Sequence, residues 1–135
     1  KALQEAGMPY DPDMVVWFYT EDRKIHPYEG IQNIAKNKEL DAVVCYNDQN
    51  AMGVIRALEA LDLKIPDDVS VTGYDNFYMA NQSDFRLTSI AHPQEKLGEM
   101  AAELLLDLVV NGENSEKQKI MIEPELVEGT SCKRR

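Results

Sequence analysis

The stretch VVCYNDQNAMG, residues 43–53, decides the fold of this protein. It begins with an apolar run typical of a buried strand, and a helix is predicted to start directly after the pair Asn47-Asp48. Asp48 is a plausible N-cap for that helix. The apolar side chains of the helix recur at helical spacing: Met52, Ile55, Leu58 and Leu61. A strand that ends on an amide which no local structure requires raises the question of what Asn47 contacts.

The flanking sequence alternates between strand and helix patterns. Strands are predicted over residues 14–18, 42–46, 69–73, 87–91 and 119–122, and helices over residues 27–36, 49–61 and 94–110. Alternation with short links is the signature of a parallel α/β sheet with right-handed crossovers. The chain opens with KALQEAG, which reads as the last turns of a helix stopped by Gly7. We therefore expect a fragment whose upstream part is missing.

Composition limits the possible functions. The chain has 135 residues, which fits one domain, and its 24 acidic and 14 basic residues give a net charge of −10. That charge argues against direct binding of nucleic acid, because phosphate contacts need clustered Lys and Arg. Cys45 and Cys132 are far apart in sequence, which favours a reducing, cytoplasmic compartment over a disulfide framework or a metal site. There is no signal peptide or long apolar run, so no membrane segment is predicted.

Polar and aromatic residues follow three predicted strands. The first strand ends in Phe18-Tyr19, the second in Asn47 and the third in Gly-Tyr-Asp, with Asp75 last. Ligands of open α/β sheets bind beyond the carboxyl ends of the strands. An amide and a carboxylate can donate and accept hydrogen bonds with vicinal hydroxyl groups, and an aromatic ring can cover the apolar face of a sugar or a base. Individually, Asn47 or Asp75 could instead cap a helix or a turn, and Phe18 could belong to the core.

These residues resemble a known family. The segments AVVCYNDQNAMGVIRALEALDLKIPDDVSVTGYDN, LTSIAHPQEKLGEMAAELLLDLV and PELVEG look like the effector-binding domain of LacI/GalR-type bacterial transcription repressors. The segment PDMVVWFYTED, together with VVCYND and LDLKIPDDVSVTGYDN, is closer still to arabinose repressors that join a winged-helix DNA-binding domain to this effector domain. The resemblance implies a periplasmic-binding-protein-like (type I) fold, a three-layer parallel α/β sheet. Residues 1–135 would then hold mostly the second lobe of a two-lobed domain, with the first lobe and the DNA-binding domain upstream.

The resemblance also implies roles for individual residues. Asn47 matches the family's asparagine that hydrogen-bonds the effector, and Asp75 matches the family's acid that accepts hydrogen bonds from sugar hydroxyls. Phe18 matches the aromatic wall of the pocket, with Tyr19 as a rival because the following segment is longer than the family pattern. His92 lies where the chain crosses back to the other lobe and a side chain at the edge of the effector pocket is expected, although it could equally be a surface histidine fixed by Pro93.

A homodimer is the expected assembly. The helix over residues 49–61 is apolar on more than one side, and the resemblance implies that this helix and the segment around Met79 form part of a two-fold interface. The expected interface residues are Ala51, Met52, Val54, Ile55 and Met79. A neighbouring helix of the same lobe could instead cover the extra face. The long helix should have packed on the absent lobe, so Leu104 and Leu108 need a partner or stay exposed.

The function that this resemblance implies is that of a sugar-responsive repressor whose effector, L-arabinose by the narrower match, binds between two lobes. Operator DNA would be bound only through the absent N-terminal domain. The alternative is a periplasmic sugar-binding protein of a transport system. An enzyme is not expected, since the sequence has no phosphate-binding glycine loop, no Gly-x-Ser-x-Gly nucleophile and no metal-spaced His or Cys. No cofactor and no metal are predicted.

Overall fold

The computed structural model describes residues 1–17, 26–77, 81–82, 85–112 and 118–134. The helices are α1 (Ala2–Glu5), α2 (Pro27–Ala35), α3 (Asp48–Glu59) and α4 (Gln94–Asn111), with a 3₁₀ turn over Pro12–Met14. The strands are β1 (Ala42–Val44), β2 (Ser70–Thr72), β3 (Asn81–Gln82), β4 (Phe85–Arg86), β5 (Ser89–Ala91) and β6 (Glu125–Val127). None of the helices in these ranges has the length and apolar composition needed to cross a membrane.

Parallel pairing organises the centre of the molecule. Strand β1 pairs with β2 in parallel, with Val43 opposite Val71. A further parallel bridge joins Thr72 to Thr88, so the chain entering β5 lies on the other side of β2. Strand β5 then pairs antiparallel with β6, and β3 pairs antiparallel with β4. The predicted α/β alternation around a parallel pair is therefore present.

The hydrophobic core lies between helix α3 and this sheet. Helix α3 buries five apolar side chains, Ala51, Val54, Ile55, Ala57 and Leu58. They pack with Val69, Val71 and Leu87 from the sheet and with Ile31 of α2. Helix α2 lies against α3, and a Cβ atom on Gly53 would come within 3.2 Å of Pro27 at the start of α2. The neighbouring helix of the same chain thus covers the second apolar face of α3.

Three local predictions are wrong. Residues 14–17 form no strand. The side chain of Asp11 accepts the Asp13 N–H at 2.9 Å and closes a 3₁₀ turn that ends at Met14, and residues 15–17 pair with none of the described strands. The final strand lies over Glu125–Val127 rather than residues 119–122, since it starts after Pro124 and takes its register from β5. The N-cap of α3 is Asn47 and not Asp48, as the Asn47 side chain accepts the Asn50 N–H at 2.8 Å.

Helix α4 is a long helix that lies largely exposed. None of its residues is buried, and its second half carries a row of exposed apolar side chains, Leu105, Leu106, Leu108, Val109 and Val110. Leu108 is 54% exposed, while Leu104 is half-buried. In the single chain this helix stays exposed, and a partner that covers it stays a prediction.

Candidate functional site

Backbone hydrogen bonds extend the sheet beyond the ends of its strands and create one polar edge. The Asp48 N–H donates to the Tyr74 carbonyl at 2.9 Å, which joins the end of β1 to the end of β2. The Asp75 N–H donates to the Ile90 carbonyl at 2.9 Å, which joins the end of β2 to β5. Asn47, Asp75 and His92 therefore follow three neighbouring sheet segments at the same edge, where ligands of parallel α/β sheets bind.

Asn47 performs two tasks at this edge. Its backbone is extended, with φ −153° and ψ 171°, and its side-chain carbonyl accepts the Asn50 N–H as the N-cap of α3. The amide nitrogen of the same side chain carries two N–H donors that a ligand hydroxyl can accept. Because capping holds the side chain in one orientation, these donors sit in a defined direction at the half-buried start of the helix. Capping and ligand contact are thus compatible roles for Asn47.

Asp75 lies on a turn with unusual backbone geometry. Its φ angle is +99° and that of Asn76 is +51°, so two consecutive non-glycine residues have positive φ. Such conformations cost about 1–3 kcal/mol each and persist only where the surroundings hold them. Asp75 is exposed, and its carboxylate can accept hydrogen bonds from ligand hydroxyls. The turn therefore presents an acid at the polar edge in a backbone conformation that tertiary contacts must maintain.

His92 is placed beside Tyr74 at the other side of this turn. The two ring centroids are 6.1 Å apart, and the ring planes are inclined by 42°. Tyr74 is 36% exposed, and His92 is also exposed. A tilted aromatic pair of this kind leaves ring faces and polar tips open to a ligand. Tyr74 was not predicted as a site residue, although its place in Gly-Tyr-Asp between a strand end and Asp75 is the signal that could have identified it.

Asp48 is the largest departure from the sequence analysis. It is 1% exposed, and its carboxylate accepts the Phe77 N–H and the Ser89 O–H, both at 2.6 Å. A Cβ atom on Gly73 would lie only 2.1 Å from the same carboxylate, so the strand end passes directly over it. These contacts connect the start of α3 with the turn and with β5. No sequence signal distinguishes this role from ordinary capping.

Several predicted residues cannot be assigned a contact at the site. Phe18, Tyr19 and Met79 lie outside the described residues. Of the four other expected interface residues, Ala51, Val54 and Ile55 are packed in the core of the chain itself, and Met52 is half-buried. Only the exposed parts of α3 are therefore open to a partner, and the homodimer stays a prediction.

Two cavities border the sheet. One of about 240 Å³ lies along the strand ends, where Tyr46, Thr88 and Leu126 line it with Gly73 and Tyr74. A second, of about 540 Å³, lies between α2, the segment 14–16 and the free side of β1, and its lining is almost entirely apolar. The smaller cavity adjoins the polar edge through Gly73 and Tyr74. Its aromatic lining suits the apolar face of a ring-shaped ligand.

Cys45 lies just beneath this edge and is chemically quiet. Burial, together with the charge of Asp48, raises the pKa of its thiol to about 12 from a usual value of 9.0. The thiolate is the reactive form of cysteine, so Cys45 is expected to be inert near neutral pH. Within the described ranges, no three His, Cys, Asp or Glu side chains are grouped so that they could hold a metal ion.

Comparison with known proteins finds a matching domain family and relatives that are transcriptional repressors. Residues 2–132 match the family described as "Periplasmic binding protein-like domain". The arabinose metabolism transcriptional repressor of Halalkalibacterium halodurans is 30% identical over 133 residues, covering 94% of this chain and 36% of that protein. The HTH-type transcriptional repressor PurR of Photorhabdus laumondii is 39% identical over 132 residues, covering 97% of this chain and 38% of that protein. The chain thus spans little more than a third of each relative.

Two solved structures of transcriptional regulators have a fold similar to that of this chain. The complex of the transcriptional regulator CelR with cellobiose superimposes with a TM-score of 0.81 at 30% identity, covering 96% of this chain and 39% of that one. A LacI family transcriptional regulator from Enterococcus faecium with bound ribose superimposes with a TM-score of 0.77 at 30% identity, covering 97% of this chain and 47% of that one.

Proposed function

We propose that this chain takes part in sugar sensing. The premise is that the chain belongs to the periplasmic-binding-protein-like domain family, as part of an effector-binding domain of the LacI/GalR repressor type. Its fold is the periplasmic-binding-protein-like fold that the sequence predicts. The chain would be the C-terminal part of that domain in a cytoplasmic transcriptional repressor. It would bind a small carbohydrate, and it would not act as an enzyme.

The observation that carries this proposal is the hydrogen bond from the Asp48 N–H to the Tyr74 carbonyl. That bond brings the end of β1, with Asn47, next to the turn that carries Asp75. An amide donor and a carboxylate acceptor at adjacent strand ends match a pair of neighbouring hydroxyl groups, as found on a sugar ring. The Tyr74–His92 pair adds aromatic surface beside them.

The effector is proposed to be L-arabinose. Support comes from the relative that is an arabinose metabolism repressor. Binding between two lobes would favour one relative orientation of the lobes and thereby change DNA binding by a separate N-terminal domain. A ligand can shift such an equilibrium only by its difference in affinity for the two states, commonly about 1–3 kcal/mol of coupling. The homodimer belongs to the same proposal, since a two-fold assembly would space the two DNA-binding domains.

Substitution of Asp75 tests the site. In the protein expressed from its complete gene, Asp75→Ala is expected to weaken sugar binding by at least about tenfold, because a hydrogen bond to a charged group contributes about 1.5–3 kcal/mol. Calorimetric titration with L-arabinose, D-ribose and cellobiose measures the affinity. Asp67→Ala is the matched control, because Asp67 is an exposed acid before β2, at the opposite end of the strand from Asp75. Unchanged affinity in Asp75→Ala would remove Asp75 from the site.

A further inference from the structure

The buried carboxylate of Asp48 contacts the turn that carries Asp75 at two points. One oxygen accepts the Phe77 N–H at 2.6 Å. The other accepts the Ser89 O–H at 2.6 Å, and the Ser89 oxygen in turn accepts the Asn76 N–H at 3.1 Å. Two consecutive backbone N–H groups of the turn are therefore tied to one carboxylate, the second through a hydroxyl.

The burial of this acid needs a reason beyond helix capping. Asn47 already caps α3, so Asp48 is not required for that purpose. A buried carboxylate is costly unless hydrogen bonds and nearby dipoles compensate it. Here the first turn of α3 supplies a favourable dipole, and the Phe77 N–H and Ser89 O–H supply the bonds. Both of these bonds connect Asp48 with β5 or with the turn.

The turn over residues 75–77 holds its backbone in a conformation that is uncommon for non-glycine residues. Asp75 and Asn76 both have positive φ angles, and the two residues after Asp75 are those bound by Ser89 and Asp48. If these bonds were lost, the turn could relax toward negative φ, which is the ordinary range even for Asp and Asn, the non-glycine residues that tolerate positive φ best. A change in φ at Asp75 rotates its side chain away from the polar edge.

We propose that Asp48 and Ser89 form a positioning pair that holds the turn over residues 75–77, so that the Asp75 carboxylate faces the effector. This inference rests on the proposed function, since it concerns the same site. Asp48 and Ser89 do not touch the ligand in this scheme. They act through Asp75, in the way that buried second-layer groups orient the ligands of other sites.

Ser89→Ala is the first variant, because it removes only one oxygen atom from a buried position. In the protein expressed from its complete gene, its affinity for whichever of L-arabinose, D-ribose or cellobiose binds is expected to fall about 5- to 10-fold, the size of one hydrogen bond. In an Asp75→Ala background the same substitution should change affinity by less than about twofold, because the effects then no longer couple. Equal losses in both backgrounds, or no loss at all, would overturn the proposal.

Ser131→Ala is the matched control. Ser131 is also a fully buried hydroxyl, donating to the Val71 carbonyl at 2.6 Å and accepting the Thr88 N–H at 2.8 Å, but it bonds no residue of the turn. It should lower stability in the same way as Ser89→Ala while leaving affinity unchanged. If Ser89→Ala fails to fold, Asp48→Asn takes its place, since it keeps the shape of the side chain and removes the charge.

Amide hydrogen exchange separates this proposal from the sugar-binding proposal. The N–H groups of Asn76 and Phe77 should exchange at least about tenfold faster in Ser89→Ala than in the wild type, and at the wild-type rate in Ser131→Ala. If no probe sugar binds the wild type, the sugar function fails, yet this measurement still decides whether the pair holds the turn. Unchanged exchange at Asn76 and Phe77 would overturn the positioning role in either case.

Discussion

Replacing Gly73 with alanine should disturb the molecule more than a single methyl group suggests. The new Cβ atom would lie 2.1 Å from the Oδ1 atom of Asp48 and 2.8 Å from a terminal carbon of Leu87. Both neighbours are 1% exposed, so neither can move into solvent. The backbone of Gly73 is also held, since its N–H donates to the Thr88 carbonyl at 3.0 Å. The space must therefore come from a shift of the carboxylate.

The size of the effect follows from these contacts. Overpacking a core costs about 1–3 kcal/mol, and moving the carboxylate weakens its bond with Ser89, which is of the charged type that contributes about 1.5–3 kcal/mol. Alanine also restricts the unfolded chain, which offsets about 0.4–1 kcal/mol. The net loss in the free energy of unfolding is expected to be between about 2 and 4 kcal/mol. That is a large share of the stability of a typical domain.

Urea unfolding followed by far-UV circular dichroism measures this loss. At a slope of about 2 kcal/mol per molar urea, the middle of the usual range, the midpoint should fall by about 1–2 M in Gly73→Ala. Gly98→Ala is the control, because Gly98 lies in exposed helix α4 with no atom within 4 Å of the added Cβ. That change should stabilise the protein by about 0.5–1 kcal/mol through helix propensity. A midpoint in Gly73→Ala within 0.2 M (roughly the measurement error) of the wild type would refute the close packing of Gly73 on Asp48.

Four further results are expected. Near pH 8, iodoacetamide should modify the half-buried Cys132 before Cys45, because the raised pKa of Cys45 keeps its thiol protonated in the native state. Modification of Cys45 as fast as in an unfolded chain would contradict its burial. The raised pKa of Cys45 also makes the free energy of unfolding depend on pH. Its contribution is fully present below pH 9 and is lost between pH 9 and about 12, by about 1.4 kcal/mol per pH unit. Cys45→Ala should remove this part of the pH dependence from urea midpoints measured at several pH values. The purified 135-residue chain should bind no sugar tightly, and micromolar binding of L-arabinose to it would show that the first lobe matters less than proposed. In sedimentation at tens of micromolar, roughly, the same piece should associate through the exposed apolar side chains of α4, such as Val109 and Val110, whereas a clean monomer would count against that surface as an interface.

Local patterns in the sequence predicted the elements that depend on neighbouring residues. The helix after Asn47 has apolar residues at helical spacing and a capping side chain at its start, so periodicity and cap chemistry locate it without reference to the rest of the chain. The parallel pair of strands follows from the alternation of strand and helix patterns. The position of Asn47 and Asp75 at adjacent strand ends could be predicted for the same reason, because parallel strands present their carboxyl ends at one edge.

Tertiary structure alone decided which of two adjacent polar residues caps the helix. Asn47 and Asp48 are both good caps by residue type, but the Asp48 carboxylate finds the Phe77 N–H and the Ser89 hydroxyl, which lie 29 and 41 residues further along the chain. Since no local pattern reports partners at such distances, the sequence could not assign the acid to the interior. The same holds for the final strand, which lies at Glu125–Val127 because that is where β5 offers a free edge. Hydrogen bonds between distant segments are chosen by the packed chain as a whole, and a buried charge is tolerated only where such bonds have already been brought together.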